Sequence, residues 1–484
     1  MGAYRVAKRF EAGAARLGAL AVAAAAVAGC GDNLFDPFLS LVRVTGQTPF
    51  ATSCAGGQQG TSFRSVEVEP WVAVDPTNPA HLVGTWQQDR WSNGGANGIG
   101  VAASFDGGAT WSTTTPHMGR CAGGTSAGAD YQRATDPWVT FAADGTVFLA
   151  ALVFDSDTPH NAMLASRSTD GGVSWSDPTV LHADDDPDVF NDKDSITADP
   201  TDPGRVYAVW DRLTGQTQPT QPVGTGPAWF ARTTDGVWEP ARPIFDPGAD
   251  AQTIGNVIVG LPDGTLVDAF DLITQTSSNT PTSMLAVVRS EDHGLTWSAA
   301  TVIAPMRGVG IQDPGSRVFI RSGTDLPQIA VDRASGTLYI VWQDAPTGST
   351  IDAVLLVSSL DGGVTWSQPV VVNGVPGVPA FTPSVAVAGD GSVGVSYFDL
   401  RTARPGDEAL RVTPWLATSR DRGGTWTEES LSGPFDLHPA LLQSSYFLGD
   451  YQGLVAAGNA FLAFFVAASA DDDDRTDVFV HLPR

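Results

Sequence analysis

Three apolar runs in this 484-residue chain end in an aspartate with an arginine beside it or just after it: Asp89 with Arg90, Asp211 with Arg212, and Asp399 with Arg401. Asp155, Asp271 and Asp344 close other runs in the same way without an arginine. A second set of residues stands immediately before such runs: Glu69, Asp136, Lys193 with Asp194, Asn256, Gln328, Thr382, and Asp450 with Tyr451. Carboxylates gathered in one place raise one another's pKa, so that one keeps a proton while another is ionised; that supplies an acid and a base at neutral pH. Arginine adds a planar fork that fits a carboxylate ligand. Glu69, Asp136, Asp211 and Asp450 are therefore candidates for proton transfer. Asp89, Lys193, Asp194 and Asp399, with Arg90, Arg212 and Arg401, are candidates for holding a substrate. Each carboxylate also has a plain structural reading, as the cap of a turn or the partner of a neighbouring arginine.

Composition narrows the chemistry. A formal net charge of −26 with only two lysines, Lys8 and Lys193, excludes a protein that tracks phosphates, since nucleic-acid binding draws on Lys and Arg to displace counterions. The seven histidines show no metal-ligand spacing, and neither a Gly-rich phosphate loop nor a G-x-S-x-G elbow occurs, so no cofactor and no metal centre is expected. The run Asp471 to Asp474 reads as a solvated loop, with a Ca²⁺ site as the alternative.

Positioning such residues falls to a repeat. Seven pairs of short apolar runs, each split by turn residues, recur along the chain, as in SITA-DPTDPGR-VYAVW (195–210) and IAV-DRASGT-LYIVW (329–342). Both arms are apolar throughout, as in strands buried on two faces. After most pairs a third run leads into the phrase S-x-D-x-G-x-T-W. It stands as SFDGGATW (104–111), STDGGVSW (168–175), SEDHGLTW (290–297), SLDGGVTW (359–366) and SRDRGGTW (419–426), with TTDGVW (233–238) as a shortened copy. Asp accepts backbone N–H groups, Gly provides a left-handed position, and Thr and Trp start the next strand, so the phrase folds a hairpin turn rather than performing chemistry.

The phrase is similar to the Asp-box, or BNR repeat, of the sialidase (neuraminidase) superfamily, and the resemblance runs through most of the chain. It implies an all-β protein: a seven-bladed β-propeller of four-stranded antiparallel blades, with six blades as the alternative. The last unit lacks a fourth strand, which LVRVTGQ (41–47) supplies from the other end of the sequence, closing N- and C-terminal strands into one blade. The tight turns then lie at one end of the ring. The charged residues and the long connections 211–226, 271–282 and 305–327 lie at the other, the usual place for a site.

In sialidases three arginines clamp the substrate carboxylate, a tyrosine assisted by a glutamate is the nucleophile, and an aspartate is the acid/base. The resemblance thus implies Arg90, Arg212 and Arg401 as the clamp, and Tyr451 with Glu69 or Asp450 as the nucleophile pair. Only the boxes carry over position by position. Where the superfamily has Arg-Ile-Pro ahead of its first blade, this chain reads VEVEPW (66–71). The expectation is a glycoside hydrolase of exo-α-sialidase type acting on terminal anionic sugars. The alternatives are a propeller that only binds glycan or protein, and a hydrolase of neutral polysaccharide that uses two rim carboxylates.

The N-terminus predicts export. Basic residues precede the apolar run LGALAVAAAAVAG (17–29), too short for a permanent span. Val27-Ala28-Gly29-Cys30 resembles the lipobox of bacterial lipoproteins, which implies a signal peptide over 1–29, a lipidated Cys30 with a tether over 30–40, and one domain over 41–484. A plain signal peptide cut after an alanine is the alternative. The expected protein is a monomer in the bacterial cell envelope that meets the membrane only through its lipid. In that oxidising compartment Cys54 and Cys121 form a disulfide, or else remain two buried thiols.

Overall fold

The computed structural model describes residues 41–215, 224–234, 236–275, 281–442 and 444–483. Cys30, with the signal and tether of 1–40, and Asp235 of the shortened box lie outside the described residues. Elsewhere the apolar pairs are antiparallel strands, and the helical content is confined to short 3₁₀ turns.

Four-stranded antiparallel units follow one another along the chain. The first is Glu67–Asp75, Asn78–Arg90, Ala96–Ser104 and Ser112–Thr114. The second is Arg133–Phe141, Val147–Phe154, Asn161–Ser168 and Thr179–Asp184. The third is Val189–Ala198, Val206–Thr214 and Ala228–Thr234, flanked by Val237–Trp238 and Arg242–Phe245. The fourth is Ala251–Gly260, Leu266–Gln275, Pro281–Ser290 and Thr301–Met306. The fifth is Gln328–Val331, Leu338–Asp344, Ala353–Ser359 and Val370–Val371. The sixth is Ala380–Val387, Val393–Asp399, Arg411–Ser419 and Thr427–Ser430. The last is Gly453–Ala457, Ala460–Asp471 and Asp474–His481, completed by Leu41–Arg43, whose Leu41 pairs with His481. The strand expected from the beginning of the sequence is thus in place.

The first strand of each unit packs against the first strand of the next, and that of the last unit packs against that of the first. Where these two units meet, Gly84 leaves room for Phe464: a Cβ on Gly84 would lie 2.3 Å from the ring's Cζ. Between units the core is built from aromatic and branched side chains, with Trp210, Trp342, Phe270 and Phe464 fully buried.

The five full boxes fold as their residues predict. In Asp361, one carboxylate oxygen accepts from Ser359 Oγ (2.9 Å) and the Thr365 N–H (2.9 Å), and the other from Thr365 Oγ1 (2.6 Å). Asp106, Asp170, Asp292 and Asp421 repeat the pattern. These hydrogen bonds hold Asp170, Asp292 and Asp361 down to about 2. Cys54 and Cys121 are joined in a disulfide.

Candidate active site

The first strands are not regular. In five units the ladder between first and second strands slips where an extra residue is inserted: between Val68 and Trp71, Thr135 and Trp138, Asp192 and Ser195, Ile254 and Val257, and Phe381 and Ser384. Each inserted residue is left-handed: Glu69 (φ 54°), Asp136 (52°), Lys193 (50°), Gly255 (72°) and Thr382 (49°). Such bulges re-aim a side chain out of the strand's alternation. Only one of the five is glycine. Holding the other four there costs about 1–3 kcal/mol each, a strain that collects at functional sites.

Three of these bulges bring charge to one point. Lys193 Nζ lies 3.2 Å from Asp136, 3.6 Å from Glu69 and 2.7 Å from Asp450, which comes from the segment leading into the last unit. Arg321 reaches the same aspartate through Nε (2.8 Å) and through a second guanidinium nitrogen. Arg321 is carried by Phe319–Arg321, a short strand in the connection 305–327. That strand pairs in parallel with Ser445–Phe447, setting Arg321 opposite Phe447. Arg90 and Arg321 share the Phe447 ring, with their guanidinium carbons 4.8 and 4.6 Å from its centroid.

The cluster splits its carboxyls into two states. Burial pushes Glu69 up to about 8 and Asp192 up to about 7, against the pull of Lys193. Burial also opposes ionisation of Asp136 and Asp450. There the cations win: Lys193 holds Asp136, and Lys193 with Arg321 holds Asp450, below the usual carboxylate range. Lys193, set among these carboxylates, stays charged. Asp192, Lys193, Arg321, Asp325 and Asp450 open onto a cavity of about 360 Å³. Arg321 also borders a neighbouring cavity of about 320 Å³ with Arg90, Asn93, Ser445 and Phe447. Glu69 and Asp136 are almost fully buried, 1% and 2% exposed, and do not border the larger cavity.

The structure therefore brings together Glu69, Asp136, Lys193, Asp450 and Arg90 from the sequence-predicted set. Of the other members, Tyr451 and Asp194 lie beside the cluster, lining a cavity with Lys193, and the rest are engaged by partners of their own. Tyr451 is buried against Trp71 and Trp138, and its hydroxyl donates to the Pro137 carbonyl (3.2 Å). Asp194 points into a small cavity of about 20 Å³ with Trp138, Asn256, Gln328 and Tyr451, where neither of its oxygens has a protein partner. Asp211 accepts from Thr253 Oγ1 (2.6 Å), Asn256 Nδ2 (2.6 Å) and the Gly255 N–H (2.8 Å), bracing the bulge of the next unit. Asp89 accepts from the Ser65 N–H (2.8 Å), Thr48 Oγ1 (2.8 Å) and Asn97 Nδ2 (3.0 Å).

The three arginines expected as a clamp stand at three places, because carboxylates close to two of them fill their forks. Arg212 is bidentate on Asp184 (2.6 and 3.0 Å). Arg401 bonds Asp399 and Glu428 and lies flat on Trp415, 3.6 Å from its centroid. Arg90 alone belongs to the acidic centre, its Nη1 donating to Gln87 Oε1 (2.6 Å). Sequence reasoning missed Arg321, Asp192 and Phe447. Asp192 adjoins Lys193, and the length of 305–327 was the signal for Arg321.

No family profile matches the chain. A xyloglucanase from Paenibacillus sp is 28% identical over 223 residues, which is 43% of this chain and 18% of that protein, so the chain spans less than a fifth of the curated relative. Among solved structures, similar ones include the Hadza microbial sialidase Hz136 (TM-score 0.47, 17% identity, 83% of this chain and 76% of that one). An α-L-arabinanase from Penicillium chrysogenum has TM-score 0.47 and 13% identity, with 91% and 97% covered. A leech intramolecular trans-sialidase has TM-score 0.41 and 14% identity, with 91% and 69% covered.

Proposed function

We propose that the protein is a glycoside hydrolase working at the mouth of a seven-bladed β-propeller. The observation that carries the reading is one cavity bordered by two aspartates in opposite states: Asp192, which holds a proton near neutral pH, and Asp450, which is ionised. Groups whose surroundings drive their pKa values apart are the natural acid and base of a hydrolase. The cyclic packing of first strands, together with the pairing of Leu41–Arg43 to the last unit, supports seven blades.

In this reading Asp192 gives its proton to the glycosidic oxygen as the bond from that oxygen to the anomeric carbon breaks. Asp450 is too heavily hydrogen-bonded to attack. Its charge stabilises the oxocarbenium centre, and water then adds to the anomeric carbon, returning a proton to Asp192. Arg321, whose fork is engaged on Asp450, and Arg90 stand over Phe447 as two cations, and their charge favours a sugar that carries a carboxylate, the exo-sialidase type of substrate. A neutral glycan is the second reading. It is favoured by the filled forks of Arg212 and Arg401, by the bonded hydroxyl of Tyr451, and by the similarity to a xyloglucanase.

The test is turnover of a fluorogenic sialoside, a xyloglucan oligosaccharide and an arabinan by the protein and by its Asp450→Asn and Arg321→Ala variants. Sialoside release that falls with both variants supports the first reading. Release from a neutral glycan that survives Arg321→Ala assigns the second, and binding without turnover sinks both. Export and lipidation at Cys30 belong to the same proposal: Cys30→Ser should move the protein from the membrane fraction to the soluble one.

A further inference from the structure

Where the first unit meets the last, a second acidic group stands apart from the cavity. Glu67, from the first strand of the first unit, and Asp474 and Asp477, from the third strand of the last, each place one carboxylate oxygen within 4.8 Å of the others. Glu67 is 0% exposed. Its Oε1 accepts from Gln88 Nε2 (2.5 Å), whereas Oε2 is buried without a partner, as is Asp474 Oδ1. One cation faces them: Arg43 donates from Nε to Asp477 Oδ1 (2.7 Å) and reaches Asp474 with its other end. Thr45 Oγ1 also donates to Asp477 (3.0 Å). Asp89 adds its charge nearby, with its oxygens taken by its own donors.

If all three carboxylates ionise, the one guanidinium leaves two negative charges unmatched, and buried carboxylates in that position either keep a proton or ligate a metal. Unpartnered carboxylate oxygens converging without nitrogen or sulfur ligands suit a hard divalent cation. Of the common ones, Ca²⁺ accepts irregular oxygen shells, whereas Mg²⁺ demands an octahedron and keeps its waters. Access is present, since Asp474 is 14% exposed at its side chain and follows the exposed Asp471–Asp473.

We infer that Glu67, Asp474 and Asp477 bind one Ca²⁺ ion that ties the last unit to the first. The backbone at the same junction agrees: Val66 bridges Thr476 in parallel, and Thr476 Oγ1 donates to the Glu67 carbonyl (2.7 Å). Only the end of the acidic run takes part, so the ion would act on ring closure rather than on the surface loop.

The experiment is calorimetric titration and thermal melting of the chelator-treated protein with Ca²⁺ and, separately, Mg²⁺, repeated on Glu67→Gln and Asp474→Asn. Expected are one Ca²⁺ per chain, a melting temperature raised by several degrees, weaker or no response to Mg²⁺, and at least a tenfold loss of Ca²⁺ affinity in each variant. Absence of Ca²⁺ binding in the parent protein overturns the inference. So does binding of unchanged affinity in both variants, which would place the ion elsewhere. Should Glu67→Gln fail to fold, Asp474→Asn, at the partly exposed edge, decides alone. Sugar turnover enters none of these readouts, so the inference can fail independently of the proposed hydrolase.

Discussion

Lys193, one of two lysines in the chain, sits in a left-handed bulge with carboxylates on three sides. Removing one partner from a buried ionic group leaves its counter-charges stranded, at a cost of about 3–5 kcal/mol. Lys193→Met should therefore lower stability by that order in urea unfolding, and by less at pH 5 than at pH 8, because at pH 5 Glu69 retains its proton. Asp192→Asn keeps the shape and deletes the acid. Loss of general acid catalysis lowers rates by about 10²–10⁴-fold, and steady-state turnover should show that loss in kcat. On the proposed hydrolase reading, the rate of the parent protein should fall as pH rises through about 7, where Asp192 gives up its proton, and the variant should lose this limb.

At the scale of elements, the apolar pairs and the boxes were legible because each is a local pattern: two apolar arms about a turn, and a carboxylate that folds its own hairpin. The bulges were not, since a period of two along a strand has no place for an inserted residue. Hence Asp194 and Asn256 were expected to face the site, whereas Asp192 borders the larger cavity and both expected residues line the small one. Glu69-Pro70, Asp136-Pro137 and Thr382-Pro383 share a proline just after the bulge, a signal that was readable. Arg321 was hidden for another reason: it lies in an irregular connection, where neither period nor turn chemistry fixes a direction. Asp361→Ala should lower the melting temperature by a few degrees and leave turnover unchanged, separating the turn from the site. Gly84→Val should be severe, because its Cβ enters the Phe464 ring; overpacking of this kind costs about 1–3 kcal/mol or more, measurable by calorimetry.

Across the whole molecule, one set of acids is governed by burial. Asp211 and Asp271 are pushed up to about 8 by burial, as Glu69 is, and Asp477 up to about 7. Each binds a proton more tightly folded than unfolded. Its contribution is therefore full below the unfolded pKa near 4 and is lost as pH rises through the folded value. In the presence of chelator the melting temperature should decline from about pH 5 to pH 8, in line with a net charge that turns further negative over that range. A melting temperature that rises over that interval would mean that these acids are ionised in the folded state.

Leu41–Arg43 has its hydrogen-bonding partner at Asp474–His481, so the chain must be made through that strand before the first described strand finds its place. A chain stalled before Asp474 would leave Leu41–Arg43 and Ala460–Asp471 without the strand that lies between them, exposing rows of amides that other copies can zip onto. Productive maturation then depends on keeping the early segment unengaged until the late one arrives, a task suited to a holding chaperone.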